Sequence, residues 1–537
     1  MNAGSYPAAL VGSPRNSLLL AASISVASLL ALGLMAVSMG SSDDAQSDQK
    51  SSKRSSGKRR KNKIFLRGLY NLGNTCFMNS TLQSLASLPA FTKYVDDCHS
   101  LLLEGNALAA GNSVDATIVF RLKEVLDQLR PRSARTGSYS PSALISSLSK
   151  KGRWLSSRSE QDAQELFQLV SSTLQTTRRE LSSSLFNSGF LSQNAPMESS
   201  IISTTSSAGS TVSAASTHIP NPMQGMAASR IACVKCGYTA AIRHFTFDNL
   251  SLSVPRSRST TIEQCLSAYT VIDQLDDFKC RYCTVSATLS KTTRDIAANK
   301  AQLAACKDPS SKRAKRLMSK ISILVDNETR LRHALASNPE EELKGVEMAS
   351  PPPGMSTKQT MIARTPRILV LHLSRSILTS SGDVVKNSAN VRVQPLLDIS
   401  PFTTTGHIST SASKPISDPV ATLASLLPNH ADAESELLQA RDNNCLYRLT
   451  AYVSHTGGHH SGHYSAFRRV APANDTGDDD EDDTNSTVDE KTAAKSPMAL
   501  LDDGSRWFMI SDTESIEVSQ NTVLNSGTAY LLFYERL

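Results

Sequence analysis

A single cysteine, a distant cluster of histidines and two cysteine pairs are the residues of this 537-residue chain that could do chemistry. The single cysteine, Cys76, follows the stretch "GLYNLGNT" at the predicted start of a helix. A thiol at a helix N-terminus lies at the positive end of the helix dipole and loses its proton more readily. The sequence therefore offers Cys76 as a nucleophile, and a buried structural cysteine is the alternative.

The histidine cluster lies in "SHTGGHHSGHYSAF", residues 454–467, which holds four of the eleven histidines of the chain. Its last member, His463, is predicted at the start of a strand, where a sheet would fix the orientation of an imidazole acting as a general base. A thiol with a distant histidine is the usual pair of cysteine hydrolases. Binding of a transition metal is the alternative, but no carboxylate or cysteine lies at ligand spacing.

The two cysteine pairs have the form C-x-x-C and are separated by 43 residues: Cys233 with Cys236, and Cys280 with Cys283. Four thiolates can close a tetrahedral zinc site, to which each pair contributes one tight turn. We predict one structural zinc ion that ties together the tips of two hairpins, and no catalytic cofactor. Acidic neighbours of the second pair argue against nucleic-acid binding, and the odd number of cysteines favours a reducing compartment.

The order of the periodic segments predicts an α+β fold, in which helices come first and an antiparallel sheet follows. Helices are predicted over 74–94, with Asn74 and Thr75 as N-cap candidates, and over 159–175, with Ser159 as the cap. Strands are predicted at "RILVLHLSR", "LYRLTAYVSH", "GHYSAFRRV", "RWFMISD" and "TAYLLFYER".

The N-terminus carries a different signal. After a tail, residues 1–16, comes the uncharged run "LLLAASISVASLLALGLMAVSMG", which as a helix of about 1.5 Å per residue would cross a bilayer core. We predict an uncleaved membrane anchor over 17–40, and a cleaved signal peptide is the alternative. A basic linker follows over 41–63, so the rest of the chain is expected to face the cytosol. Nuclear targeting or nucleic-acid binding by "KRRKNK" is the weaker interpretation.

Residues 64–537 are predicted to form one catalytic domain with long insertions. The net charge of the chain is +7, although an acidic run lies at 475–490, which we expect to be solvated, with partner binding as the alternative. The predicted cysteine-bearing region spans about 231–283, and the predicted insertions span about 182–226, 284–360, 402–440 and 472–500.

Seven segments, in order, resemble the ubiquitin-specific proteases, cysteine peptidases of papain-like fold that cleave ubiquitin from proteins. Residues 68–85 resemble the cysteine box of that family, and "YRLTAYVSHTGGHHSGHYSAF" with "WFMISD" resembles its histidine box. The others are "EQDAQELF", "FDNLSLSVP", the two C-x-x-C pairs, "PRILVLHLSR" and "AYLLFYER". The resemblance implies a helical thumb, a β-sheet palm and zinc-ribbon fingers, with ubiquitin and ubiquitinated proteins as partners and no nucleic acid.

The resemblance also implies roles by position. Cys76 would be the nucleophile, His463 the general base, and Asn71 a side-chain donor to the oxyanion. Asp162 matches an acidic position that binds the basic C-terminal tail of ubiquitin, and a carboxylate that only stabilises a helix N-terminus is the alternative. The four paired cysteines match the zinc ligands of the fingers.

The third triad residue is where the sequence departs from the family pattern. Ser511 stands where the family usually has Asn or Asp, and Asp512 follows it. A serine hydroxyl can hold the imidazole tautomer but brings no charge. We expect Ser511 to orient the imidazole with Asp512 in support, and orientation by Asp512 itself is the alternative.

One subgroup of the family combines a Cys-His-Ser triad with an N-terminal anchor and a basic linker on the mitochondrial outer membrane. The sequence resembles this subgroup, which predicts a membrane-anchored, cytosol-facing deubiquitinase, with the endoplasmic reticulum as the alternative membrane. Two other classes stay open: a ubiquitin-binding scaffold impaired by Ser511, and a peptidase for another ubiquitin-like modifier.

Overall fold

Five helices form the first part of the fold and are called the thumb helices. α1 is Cys76–Leu85, α2 is Pro89–Glu104, α3 is Val114–Gln128, α4 is Ser142–Lys151 and α5 is Ala163–Asn187. The helix predicted over 74–94 is thus two helices. Proline disfavours the helical conformation of the residue before it and is well accepted in a first turn, so Pro89 begins α2 and does not extend α1.

In the rest of the part that the structure describes, strands dominate, and the named helices are α6 Ile262–Thr270, α7 Arg281–Ala304, α8 Lys312–Ala336 and α9 Gln520–Leu524. The strands are β1 Gly225–Cys233, β2 Arg243–Phe247, β3 Leu250–Ser253, β4 Ser259–Thr261, β5 Asp273–Phe278, β6 Gly354–Arg364, β7 Ile368–Ser374, β8 Ser376–Leu378, β9 Val384–Lys386, β10 Asn390–Arg392, β11 Leu396–Asp398, β12 Leu446–Gly457, β13 Gly462–Val470, β14 Arg506–Ser511, β15 Glu514–Val518 and β16 Ala529–Arg536. The predicted α+β order is therefore present.

The computed structural model describes residues 64–104, 113–134, 136–152, 162–187, 220–240, 242–350, 353–405, 408–417, 438–458, 461–472 and 503–537. The predicted tail, anchor and linker lie outside these residues, as do Ser159 and most of the predicted insertions at 182–226 and 472–500. Among the described residues, no helix is both long and apolar enough to cross a bilayer.

The largest sheet, called the palm sheet, has eight strands. Its order is β15-β14-β13-β12-β16-β7-β3, and β11 also pairs with β12. All of these pairs are antiparallel except β3 with β7, which is parallel and departs from the antiparallel sheet that the sequence predicted. A parallel pair requires a long crossover, and here the chain makes it through the second sheet before it returns at β7.

Apolar side chains cover both faces of the palm sheet. On β7, Ile368 and Val370 pack with the thumb helices, whereas Leu369 and Leu371 pack in a second core that includes α6. Successive strand residues point to opposite faces, so a strand covered on both sides needs an unbroken apolar run. That is why β7 contains the unbroken run "ILVL" and β16 the run "AYLLFY".

The second sheet, called the fingers sheet, has the order β2-β1-β6-β5. Its strands extend beyond the predicted bounds, because β1 begins at Gly225, inside the predicted loop 182–226, and β6 begins at Gly354, inside the predicted insertion 284–360. β6 mixes buried, half-buried and exposed residues and is mostly polar, so its apolar signal is weaker than that of the palm strands. The remainder of that predicted insertion is a hairpin of two long helices, α7 and α8, which pack on each other.

Part of the predicted insertion 402–440 packs against the fingers sheet. Arg230 of β1 is 1% exposed, and its guanidinium donates to the carbonyls of Ser409, Lys414 and Pro415. Thr404 N also donates to Ile362 O of β6 at 2.8 Å. These residues therefore supply hydrogen-bond acceptors to a buried cation.

Candidate active site

Cys76 is the first residue of α1 and is only 4% exposed. All ten residues of α1 are buried although half are polar. Hydroxyls within the helix are satisfied locally, as in the bond from Thr81 Oγ1 to Phe77 O at 2.7 Å. The helix packs against β13 and β14, the strands that end or begin near His463 and Ser511.

The turn before Cys76 is built around the side chain of Asn71. Asn71 Oδ1 accepts from Gly73 N and Thr75 N at 3.1 Å each. Gly73 and Asn74 both have positive φ, 103° and 54°, conformations that glycine and asparagine tolerate best. Thr75, one of the two predicted candidates, is the N-cap residue, but its hydroxyl makes no cap bond and accepts from Leu72 N instead.

His463 and Ser511 lie within hydrogen-bond distance of each other. His463 is near the start of β13 and Ser511 is the last residue of β14, and the distance from Nε2 to Oγ is 2.8 Å. The two strands are neighbours in the palm sheet, so the register of an antiparallel pair fixes this distance. Both side chains are half-buried.

Asp512 binds two amides. Its Oδ2 accepts from Asn71 Nδ2 at 3.0 Å and its Oδ1 from Asn79 Nδ2 at 2.7 Å. The backbone of Asp512 has a φ of 48°, and its carbonyl accepts from Leu69 N at 2.8 Å. Asp512 thus connects the turn after β14 to the segment that leads to Cys76.

Sequence reasoning missed Asn79 and Gly68. Asn79 lies one helical turn after Cys76, within "CFMN", and its spacing of three residues was the available signal. A Cβ on Gly68 would lie 2.5 Å from the backbone of Thr513, so only glycine lets the two segments approach this closely. Both residues support the position of Asp512.

Gln83 and Arg468 were also missed. Arg468 of β13 is 1% exposed and donates to Gln83 Oε1 and Leu129 O at 2.9 Å each and to Ala86 O at 3.0 Å. Complete burial lowers the pKa of Arg468 to about 10. These bonds join the strand of His463 to the C-terminal end of α1, and no sequence spacing relates residues so far apart.

Asp162 precedes α5 and makes two kinds of contact. Its Oδ1 accepts from Gln164 N at 2.6 Å, as a helix cap does, and its Oδ2 accepts from Tyr530 Oη at 2.5 Å. The residue also lines a cavity of about 140 Å³ together with His372, Lys386, His455, Tyr464 and Tyr530, among others. The Asp162 carboxylate therefore stabilises the N-terminus of α5, which was the alternative interpretation, and it also lies beside a cavity.

The histidine cluster does not form a metal site among the described residues. His455 lies on β12 opposite Tyr464, and His463 lies on β13 opposite Thr456. His455 stacks on Tyr464 with ring centroids 4.3 Å apart. Lys386 Nζ donates to the carbonyls of His455 and Gly457 at 3.0 and 2.9 Å. His459 and His460 lie outside the described residues.

The four paired cysteines come together at one end of the fingers sheet. Their sulfurs all lie within 4.8 Å of one another, with Cys233–Cys283 at 4.0 Å and Cys236–Cys280 at 3.6 Å. Four sulfurs about 2.3 Å from one zinc ion would be about 3.8 Å apart. Burial, with nearby Cys236, raises the pKa of the Cys283 thiol to about 11, and a bound cation would favour the thiolate instead. The cluster could therefore bind one zinc ion.

The second cysteine pair does not lie at a hairpin tip. Cys280 is the N-cap of α7 and Cys283 lies in its first turn, whereas Cys233 is the last residue of β1 and Cys236 lies between β1 and β2. The predicted second hairpin is absent because "RYCTVSATLSKTTRDIAANK" forms a helix. The cluster thus joins a hairpin to a helix N-terminus.

Comparisons with known proteins agree with this arrangement of residues. The sequence model of the family "Ubiquitin carboxyl-terminal hydrolase" matches residues 67–534. "Ubiquitin carboxyl-terminal hydrolase 16" of Emericella nidulans is 28% identical over 443 residues, which are 75% of this chain and 62% of that protein. "Ubiquitin carboxyl-terminal hydrolase 30" is 25% identical in Rattus norvegicus, over 89% of this chain and 86% of that protein.

"Ubiquitin carboxyl-terminal hydrolase 30" of Danio rerio is 27% identical over 89% of this chain and 87% of its own length. Among solved structures, the SAGA Ubp8/Sgf11/Sus1/Sgf73 DUB module bound to ubiquitin aldehyde is 18% identical, with a TM-score of 0.47, over 88% of this chain and 70% of that one. Because the family model covers most of the chain, we conclude that this protein belongs to the ubiquitin carboxyl-terminal hydrolase family of cysteine peptidases.

Proposed function

We propose that this protein removes ubiquitin from proteins and from ubiquitin chains by hydrolysing the bond after the C-terminal glycine of ubiquitin. Cys76 is the nucleophile and His463 the general base in this proposal. The observation that carries it is the 2.8 Å contact of His463 Nε2 with Ser511 Oγ, on strands that pack against the helix of Cys76. Family membership supplies the substrate class.

The contact with Ser511 defines the tautomer that the base needs. If Nε2–H donates to Ser511 Oγ, the lone pair of the neutral imidazole is on Nδ1. Nδ1 can then take the proton of the Cys76 thiol. A neutral hydroxyl stabilises the imidazolium less than a carboxylate would, so the triad Cys76-His463-Ser511 depends more on orientation than on charge.

The reaction proceeds in two halves. The Cys76 thiolate attacks the carbonyl carbon of the terminal glycine, and His463 then gives its proton to the departing amine as the carbon–nitrogen bond breaks. Water, deprotonated by His463, attacks the resulting thioester and releases ubiquitin with a free carboxylate. No cofactor takes part in these steps.

Asn71 is the proposed oxyanion donor, held in place by Asp512. An Asn Nδ2 carries two hydrogens, and the bond to Asp512 uses one of them. The other can bond the oxyanion, an interaction worth roughly 3 kcal/mol in comparable sites. Asn79 shares the same carboxylate, so Asp512 acts as a positioning residue for Asn71.

Binding of ubiquitin is proposed at two further places. Asp162 and the cavity beside it would receive the basic C-terminal tail of ubiquitin, because a carboxylate near aromatic rings attracts a guanidinium. The fingers sheet, closed by a zinc ion on Cys233, Cys236, Cys280 and Cys283, would support the globular part. The zinc ion is structural in this proposal.

We further propose that residues 17–40 anchor the protein in the mitochondrial outer membrane, with the catalytic domain in the cytosol. The uncharged run, the basic linker and the Ser511 triad support this assignment, as does the match to the hydrolase 30 proteins over most of their length. Fractionation and protease protection of the tagged full chain test it, and recovery with the endoplasmic reticulum would overturn it.

The enzymatic proposal is tested by reaction of the full chain with ubiquitin that carries a C-terminal electrophile. The wild type should form a covalent adduct, Cys76→Ala none, and Ser511→Ala an adduct at a much lower rate. Asp512→Ala should slow turnover of a ubiquitin amide more than it slows adduct formation, because it acts through the oxyanion donor. Absence of an adduct from a folded chain would favour a ubiquitin-binding scaffold, and an adduct only with another modifier would change the substrate class.

A further inference from the structure

α7 and α8 form a hairpin, residues 281–336, whose outer half (residues 291–325) is strongly basic. That half contains nine lysines and arginines and two aspartates. Its net charge is therefore +7, equal to that of the whole chain. Five of the nine lie in the first part of α8 and all five are exposed: Lys312, Arg313, Lys315, Arg316 and Lys320.

These five cations are not balanced by neighbouring carboxylates. Within the part of the chain that the structure describes, none of them forms an ion pair, whereas Arg332, later in α8, pairs with Glu328 at 2.7 Å. Lysine and arginine side chains grouped without counter-charges create a positive surface potential that attracts an anionic partner.

Large apolar side chains are exposed on the same helix. Met318, Ile323 and Val325 are 48%, 60% and 42% exposed. Ile323 follows Lys320 by three residues, and Met318 follows Lys315 by three, so each has a basic neighbour one helical turn away. The surface therefore combines positive charge with aliphatic groups that water solvates poorly.

The base of the hairpin is firmly held. Cys280 of the cysteine cluster is the N-cap residue of α7, and Tyr282 stacks on Tyr238 with ring centroids 5.6 Å apart. The Arg281 guanidinium donates to Pro339 O at 3.1 Å and to Glu341 O at 2.8 Å. The outer half thus projects from a fixed base.

We propose that the outer half of this hairpin docks on an anionic lipid bilayer. Lysine and arginine bind anionic headgroups while neighbouring aliphatic side chains enter the interface, which is the arrangement of helices that lie on membranes. Nucleic-acid sites instead combine basic residues with aromatic side chains that stack on bases, and the exposed apolar residues here are aliphatic. The proposal does not depend on the anchor at 17–40.

The test places a fluorescent reporter on the surface. The full chain with Ile323→Trp is added to vesicles of phosphatidylcholine, with or without phosphatidylglycerol, and with brominated lipid as a quencher. Wild type supplies the background from the two native tryptophans. Val271→Trp is the matched control, because Val271 is 52% exposed on a part of the chain followed by Asp273, Asp276 and Asp277.

We expect the emission of the tryptophan at 323 to shift to the blue and to be quenched only in anionic vesicles, while that at 271 stays unchanged. Replacing Lys312, Arg316 and Lys320 by glutamine in the Ile323→Trp chain should lower docking about fivefold per charge removed. Hydrolysis of a soluble ubiquitin substrate without vesicles should not change, which shows that the variants are folded.

Sedimentation of the same samples with vesicles reports anchoring separately. A chain that sediments with anionic vesicles but is not quenched at 323 would overturn the docking proposal and leave the anchor intact. Equal quenching in neutral vesicles would also overturn it. A fluorescence change caused by RNA or by polyglutamate, and not by anionic vesicles, would assign the surface to a nucleic acid or an acidic protein instead.

Discussion

The palm and fingers sheets are stabilised in opposite ways. Two apolar cores cover the palm sheet, and its central strands β12 and β16 are almost entirely buried. In the fingers sheet, the edge strands β2 and β5 are mostly exposed and polar, and a cysteine cluster lies at one end. The sheet that carries His463 and Ser511 is buried between two apolar cores, whereas the fingers sheet has exposed edge strands and a cysteine cluster that could bind one zinc ion.

Removal of the proposed zinc ion should give the largest difference in hydrogen exchange between the two sheets. Structural zinc in small domains contributes about 10–16 kcal/mol, so chelation, or Cys280→Ser, should unfold the fingers and weaken ubiquitin binding. Hydrogen exchange should rise in β1 and β6 and stay low in β12 and β16. Cys306→Ser, outside the cluster, is the control, and unchanged protection of β1 after chelation would contradict the zinc assignment.

Arg468→Met should be the most destabilising single change in the palm. It leaves three buried acceptors without a donor, and we expect a loss of about 3 kcal/mol in the free energy of unfolding. Urea denaturation measures this loss. Arg332→Met removes only an exposed ion pair and should have a far smaller effect. Equal effects would mean that the buried guanidinium does not support the palm.

Gly68→Ala should impair catalysis more than stability. The new Cβ would force the backbone of Thr513 away and displace Asp512, and with it Asn71. A shift of about 1 Å can cost roughly a hundredfold in rate, which steady-state hydrolysis of a ubiquitin amide would detect as a lower kcat. A Cβ on Gly137 meets nothing within 4 Å, so Gly137→Ala is the control. A normal kcat for Gly68→Ala would exclude this positioning role.

The smallest expected effect is a pH dependence of the free energy of unfolding, caused by His372 in the palm sheet. Burial lowers the pKa of His372, so the unfolded chain binds its proton more readily than the folded one. Stability should therefore be complete above about pH 6.5, the ordinary pKa of histidine, and fall as the pH decreases below it. Urea denaturation at several pH values should show less of this fall for His372→Gln. His333→Gln, an exposed site on α8, should retain it.

Much of the site could be predicted because its signals are local. A cysteine after a glycine-rich turn, a histidine at a strand start and two C-x-x-C pairs each occupy a few adjacent residues. Asn79 was equally local but was overlooked. The long fingers strands were harder, since β6 contains the polar run "STKQT" and only the short apolar run "MIA".

The sequence favoured Ser511 over Asp512 as the residue that orients the imidazole but left Asp512 as an alternative. The two residues are adjacent, and both can accept a hydrogen bond. Ser511 lies within 2.8 Å of His463 Nε2, whereas the carboxylate of Asp512 contacts Asn71 and Asn79. The last residue of a strand and the first of a turn project differently, and only the register of β13 with β14 decides which one reaches the imidazole.

The sequence by itself determined the α+β class, the candidate nucleophile and base, and the two cysteine pairs, because hydrophobic period and motif spacing are properties of neighbouring residues. The tertiary structure decided which distant groups meet. The contact of Arg468 with Gln83 and that of Asp512 with Asn71 each join residues more than 380 positions apart. Such pairs depend on how helices and strands pack in three dimensions, and spacing along the chain carries no record of that packing.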